Sequence, residues 1–326
     1  YSYSELESLM RKVSIEDIQS EREIWEKYYS LDMGKEFDRL RNSVIRFQPN
    51  LVEKIWGGDR IEKLKGLPPS GRKIGESWEC SAHPTNPSKI RIGEVEIPFI
   101  HLLNHCGDWI IGKQLMNDFR GEFPILIKFI DTSENVSVQV HPSDEDAEML
   151  GEGDRGKTEA WYVLDAEPGA KVYIGVKKDV SDISEIREDS LNAIEVKKGD
   201  LFFIPAGTVH AIGKGVLLYE IQESSDLTYR VWDWGRPREL HLERAGMVSS
   251  LSKANIEDFK KVPKGKELID TIHFTLSFAE SGKQKTRGSF HLLTCIEGET
   301  EIEIQGKKEK LNMGETALIP ACVDSY

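Results

Sequence analysis

The chain has 326 residues, is 39% hydrophobic and 30% charged, and carries a formal net charge of −13. That length holds one large domain or two ordinary ones with ample core. The negative balance argues against general nucleic-acid binding, which needs a positive face for the phosphate backbone, but leaves room for a small phosphorylated ligand held by a few local cations.

In chain order, residues 1–45 read as a helical segment. Ser14 and Asp17 form a capping-box-like start, with Asp in place of the usual Glu. Ile15, Ile18, Trp25, Tyr28 and Leu31 are spaced as an apolar stripe for packing on the main body. From Val44 the texture changes to short apolar runs with Gly and Pro punctuation. PILIKFID, VSVQVH, EAWYVLD, AKVYIGV, NAIEV, DLFFIPA, VLLYEIQ and LTYRVWD are the clearest strands. Helical interruptions are expected near residues 100–120, 143–150 and 180–192, the second opened by Ser143 with Asp146 three residues on. Many short strands between turn signals predict a mainly β fold of jelly-roll barrels.

No apolar run approaches the roughly 18 residues needed to span a bilayer. The first forty residues are charged and polar, without a secretory pattern. Cys80, Cys106, Cys295 and Cys322 form no CxxC pair. A reduced, cytoplasmic protein without a membrane partner is the expectation.

An internal repeat extends the fold reading. Gly199 is followed by Pro205, Gly207 and His210, and Gly314 by Pro320, Cys322 and Ser325 at the same offsets. The preceding hairpins, WYVLDAEPGAKVYIG and LLTCIEGETEIEIQG, match in texture. Two barrels in tandem are therefore expected, the second without the His and free of metal. The division is residues 1–45 as a helical segment, 46–250 as a metal-binding catalytic domain with helical insertions, and 251–326 as the degenerate copy. An open edge near Tyr326 is expected, since the sequence given stops just after the repeated motif.

Four residues carry the chemistry. Gln139 and His141 are two apart in a strand, so they point to one face. Glu159 and His210 arrive from other strands. Two imidazoles, a carboxylate and an amide oxygen suit a divalent metal such as zinc.

The spacing Gly–x5–Pro–x–Gly–x2–His is a cupin motif, with Lys214 where an Asn often follows. More narrowly, the chain resembles the zinc-dependent mannose-6-phosphate isomerases, the type I phosphomannose isomerase family. EKIWGG, GESWECSAHP, GEFPILIKFID, SVQVHPSDEDA, GKTEAWYVL, IPAGTVHAIG and EIQESSDLTYRVWDWGR carry the resemblance, in order, over about residues 46–245. It implies tandem cupin barrels and one zinc ion per chain, bound by Gln139, His141, Glu159 and His210. It also implies interconversion of mannose 6-phosphate and fructose 6-phosphate through a cis-enediol. The family's catalytic arginine maps onto Arg230, and acids near its active site map onto Glu220 and Asp226. A basic residue is usual at Arg236.

The residues agree with that chemistry. A developing enediolate needs a fixed cation. Lys157 shares the strand face of Glu159, and Arg230 is permanently charged. Glu220 lies ten residues before Arg230 with the same parity, so both can face inward. The base stays open between a carboxylate and a lysine made neutral by the metal. Ser137, Lys128 and Arg236 are the candidates for holding the phosphate of a small sugar phosphate. His83 lines the pocket or packs in the core, and Trp78 and Trp161 read as core or pocket wall. Two other functions fit the donor set: an Fe(II) cupin oxygenase and a non-catalytic sugar-phosphate-binding protein. No Gly-rich nucleotide loop precedes the strands, and the oligomeric state is not legible.

Overall fold

The computed structural model describes residues 15–263 and 265–326, with side chains from residue 22 onward. The Ser14 cap and the side chains of Ile15, Asp17 and Ile18 lie outside what is described. Two helices come first, α1 (Ile15–Ser30) and α2 (Met33–Arg41). Asp32 caps α2 by accepting from the Lys35 N–H at 3.2 Å. Trp25, Tyr28 and Leu31 pack against the main core.

Strands follow: β1 (Ile45–Gln48), β2 (Asn50–Gly58), then, after the short helix α3 (Arg60–Leu64), β3 (Ile74–Cys80), β4 (Lys89–Ile92) and β5 (Val95–Pro98). The first helical insertion is α4 (Phe99–Gly107), a π turn at Asp108–Gly112 and α5 (Lys113–Asp118). After β6 (Ile125–Asp131) and β7 (Val138–Val140) comes α6 (Asp144–Met149), opened by a complete capping box between Ser143 and Asp146. Next are β8 (Glu159–Ala166) and β9 (Lys171–Val176). Two 3-10 turns, Ile183–Glu185 and Glu188–Ser190, stand where the third helix was expected. The central strands are β10 (Leu191–Glu195), β11 (Leu201–Ile204), β12 (His210–Ile212), β13 (Val216–Glu223) and β14 (Tyr229–Trp232). Helices α7 (Leu242–Val248) and α8 (Ile256–Phe259) lead to β15 (Lys260–Lys261). The last strands are β16 (Glu267–Asp270), β17 (Thr275–Ser277), β18 (His291–Thr294), β19 (Glu299–Ile304), β20 (Lys307–Asn312) and β21 (Thr316–Ile319). No described helix is long and apolar enough to cross a membrane.

The barrels predicted from the sequence do not form. The strands make a seven-stranded sheet, β15-β11-β8-β13-β6-β3-β2, and a five-stranded sheet, β10-β9-β12-β7-β14. Among the described residues neither sheet closes on itself or joins the other by a ladder. A second five-stranded sheet, β18-β21-β1-β4-β5, joins strands of residues 45–98 to strands of residues 291–319, so residues 251–326 build no barrel of their own. The result is a mixed α/β fold of open antiparallel sheets. Short strands with turns fit a closed barrel and an open stack equally well, and the edges decide between them. Here β15 has two residues, and β14 breaks register between Arg230 and Trp232. The repeat survives as local geometry: Gly199 and Gly314 take φ of +90° and +81°, and each turns the chain into a strand, β11 or β21.

The two central sheets pack over Trp161, Val163, Val172, Ile174, Phe202, Ile204 and Leu218. The other face of the seven-stranded sheet carries Ile127, Phe129, Tyr219 and Ile221 into the largest cluster, shared with the helices and the C-terminal strands.

Candidate metal centre and the residues around it

Register assembles the site. On β12 and β7, His210 is directly opposite Gln139, and on β14 Arg230 is opposite Gln139 from the other side. On the facing sheet Glu159 opposes Gln222, while Trp161, Glu220, Lys128 and Trp78 form one row across β8, β13, β6 and β3. His141 follows β7 by one residue, held by the Gly207 N–H on its carbonyl at 2.8 Å.

Nitrogen and oxygen atoms of His141, Glu159 and His210 lie within 4.8 Å of one another, and all three residues are buried. Each imidazole has one committed nitrogen. His141 Nδ1 donates to the Leu227 carbonyl at 2.8 Å, and His210 Nδ1 to the Thr208 carbonyl at 2.8 Å. The Nε2 lone pairs therefore face inward. His210 Nε2 stands 3.3 Å from Glu159 Oε1, which has no hydrogen-bond donor among the described residues. Two acceptors face each other there, an arrangement that a shared cation stabilises. Imidazole nitrogens and a carboxylate are the donors a divalent metal takes. By geometry and by donor chemistry the cluster is a candidate site for a divalent cation.

Burial keeps both imidazoles neutral. It pushes His141 well below the usual range, helped by the Lys157 charge and by His210, and lowers His210 to about 4. Lys157 Nζ donates to Glu159 Oε2 at 2.8 Å and lies 3.0 Å from His141 Nε2. Burial would lower its pKa, but Glu159 and Glu220 outweigh that and raise it, so the group stays an ammonium.

Glu220 accepts from the Trp161 indole at 2.9 Å through Oε2, and its Oε1 has no hydrogen-bond donor among the described residues. Burial, then the Glu159 charge, raise its pKa to about 6 against the pull of Lys157 and Lys128. Lys128 Nζ lies 4.0 Å from Glu220 and 4.0 Å from Glu76, and 4.5 Å from the centre of the Trp78 ring. Glu76 also takes the Trp78 indole N–H at 2.8 Å and Lys54 at 3.0 Å. Glu76 and the indole hydrogen bonds were missed at the sequence level. The signal was a buried strand, IGESWEC, with a carboxylate sharing the parity of its tryptophan.

The remaining candidates divide. Gln139 turns its amide nitrogen to His210 Nε2 at 3.4 Å and its oxygen to Ser137 Oγ at 3.5 Å. Arg230 donates to the Glu239 carbonyl at 2.7 Å, and its Nε is buried without a hydrogen-bond partner among the described residues. Arg236 is taken up by Asp233 at 2.6 Å and the Asn135 carbonyl at 2.7 Å, with Glu134 at 3.6 Å. Asp226 is exposed. His83 pairs with Asp154 at 3.0 Å, its ring 6.2 Å from that of Trp78. A cavity of about 990 Å³ lies on the opposite face of the seven-stranded sheet, against Tyr162, Tyr219, Leu276 and Leu292, and holds none of the cluster.

Residues 44–176 match the family described as phosphomannose isomerase type I, catalytic domain. The chain is 32% identical over 302 residues to the mannose-6-phosphate isomerase of Streptococcus mutans, covering 86% of this chain and 93% of that protein. With the mannose-6-phosphate isomerase ManA of Bacillus subtilis it shares 34% over 274 residues, 78% of this chain and 85% of that one. A crystal structure of the mannose 6-phosphate isomerase from Bacillus subtilis superposes with a TM-score of 0.72 at 29% identity, covering 87% of this chain and 95% of the other.

Proposed function

This chain belongs to the type I phosphomannose isomerase family, and from that premise we propose how it interconverts mannose 6-phosphate and fructose 6-phosphate at the His141–Glu159–His210 cluster. The observation that carries the reading is the convergence of ligand atoms from buried His141, Glu159 and His210 within 4.8 Å, with the His210 Nε2 lone pair 3.3 Å from a Glu159 Oε1 that has no hydrogen-bond donor among the described residues. The oxygenase and non-catalytic readings of the same donors are set aside by the family.

Zinc is the metal we assign, held by His141, Glu159 and His210. Gln139 would supply a fourth ligand through its amide oxygen, which requires the amide to turn from its present orientation. When bound, zinc supplies Lewis-acid polarisation of the sugar carbonyl. The protein's own groups do the rest. Glu220, ionised above about pH 6, takes the proton from C2 of the aldose and returns it to C1 of the cis-enediol. A second proton passes from O2 to O1, and the Lys157 ammonium is the group at hand to mediate it. A lysine held charged is a poor base, which favours Glu220 for that role. Lys157 and Arg230 offset the developing enediolate charge. Lys128 and Ser137 are the polar groups we assign to holding the substrate's phosphate. A phosphate at Arg236 competes with Asp233 and Glu134.

The test is turnover of mannose 6-phosphate by chelator-stripped protein with zinc added back. Activity should vanish on stripping, return with zinc, and stay absent in His210→Ala. Full turnover by the stripped protein would remove the metal from the reaction.

A further inference from the structure

We propose that His83 and Asp154, which make no hydrogen bond or ion pair with the candidate metal ligands among the described residues, form a positioning pair that aims His141 at the metal. The inference rests on the metal reading above.

His83 is buried in the loop after β3, and both ring nitrogens are engaged. Nδ1 meets Thr85 Oγ1 at 2.8 Å and the Thr85 backbone N–H at 3.4 Å. A backbone N–H only donates, so Nδ1 is an acceptor and Nε2 carries the proton. That proton goes to Asp154 Oδ2 at 3.0 Å. The same oxygen accepts the Asp226 backbone N–H at 2.9 Å, and Oδ1 accepts the Arg155 N–H at 2.9 Å. Burial opposes the Asp154 charge, but the bonds from His83, Asp226 and Arg155 outweigh it and hold its pKa below the usual value.

Asp154 thus clamps two segments with no ladder of their own. One is residues 151–158, which carry Lys157 and lead into Glu159. The other is residues 224–228. Ser225 closes the clamp, donating from Oγ to the Arg155 carbonyl at 2.8 Å and accepting from the Leu227 N–H at 3.1 Å. The Leu227 carbonyl then receives the Nδ1–H of His141. An irregular segment orients a carbonyl only as well as its own anchors hold it. Partners behind a metal-binding histidine fix its tautomer and ring direction. A buried pair of this kind is a weak source of stability, since an apolar pair of the same volume would serve as well. Its directional effect is what an apolar pair cannot reproduce.

The experiment measures zinc affinity by competition with a chromophoric chelator, alongside kcat and KM for mannose 6-phosphate. His83→Leu and Asp154→Ala are expected to bind zinc about tenfold more weakly than the unaltered protein. Their kcat should fall while KM changes little. His83→Gln places an amide N–H near the position of Nε2, so it should recover most of the affinity. Equal zinc affinity in His83→Leu and the unaltered protein would overturn the pairing while leaving the metal reading intact. Failure of the unaltered protein to bind zinc would overturn both. Should Asp154→Ala not fold, the comparison of His83→Gln with His83→Leu decides alone: equal loss in the two overturns the proposal, and selective recovery in the Gln variant supports it.

Discussion

Glu220 has one oxygen fixed by the Trp161 indole and the other without a hydrogen-bond donor among the described residues, 4.0 Å from Lys128 Nζ; in the proposed mechanism that second oxygen takes the proton. As a base it must be ionised, so kcat/KM should rise with pH through a pKa near 6. Trp161→Phe removes a bond that lowers this pKa. Its acid limb should move to higher pH, readable as a shifted pH–rate profile. Glu220→Gln should cut kcat by about 10²–10⁴ with little change in KM; retained activity would clear Glu220 of the role. Lys157→Met should also lose kcat, yet bind zinc at least as tightly, because the ammonium lies against two of the donor residues. Glu76 is a stability group. Burial opposes its charge, but Lys128 and Lys54 prevail and hold it at about 2. Its folded pKa lies below the ordinary value, so its contribution is full above about pH 4.5 and fades as the pH falls toward 2. Glu76→Gln should flatten the acid side of a urea-unfolding series, by up to about 3 kcal/mol at neutral pH. The histidines and Glu159 were legible because motif spacing names them. The indole contacts were not, because cross-strand neighbours depend on a register that residue spacing within one strand does not encode.

Turns decide how accurately the strands deliver these groups. Gly207, between β11 and β12, has φ of +80°, and a Cβ there would meet the Val248 carbonyl oxygen at 2.9 Å. Its N–H also anchors the His141 carbonyl. Gly207→Ala should therefore cost about 1–3 kcal/mol in thermal unfolding and weaken zinc binding together; unchanged zinc affinity would separate the turn from the site. At this scale the sequence was readable where runs were long and apolar. PILIKFID and VLLYEIQ are β6 and β13, and the Ser143 capping box opens α6. The expected closure into barrels failed because pairing at sheet edges depends on which strands meet across the molecule. Nothing in the two residues of β15, or in the broken register of β14, advertises that outcome.

Taken as one body, the molecule is tied together by strands far apart in sequence. Strand β1 pairs with β21 on one side and β4 on the other. Lys65, with its side chain covered, joins Glu79 at 2.7 Å and the Gly314 carbonyl at 2.6 Å. Tyr219 reaches Thr294 at 3.2 Å. Removing residues from Phe290 onward would uncover the outer face of the seven-stranded sheet. That truncated chain is expected to lose cooperative unfolding and to bind an apolar dye; a sharp, unchanged melt would mean that residues 1–289 fold without the last strands. Strand β13 also shows what a two-faced sheet does to heredity. Leu218, Glu220 and Gln222 look toward the chemistry, while Leu217, Tyr219 and Ile221 look into the main core. A substitution at Glu220 or Gln222 therefore acts on the site, and one at Leu217, Tyr219 or Ile221 acts on the core behind it. A single-residue deletion before Leu217 exchanges the two roles at once, so along this strand variation by substitution is open and variation by length is closed.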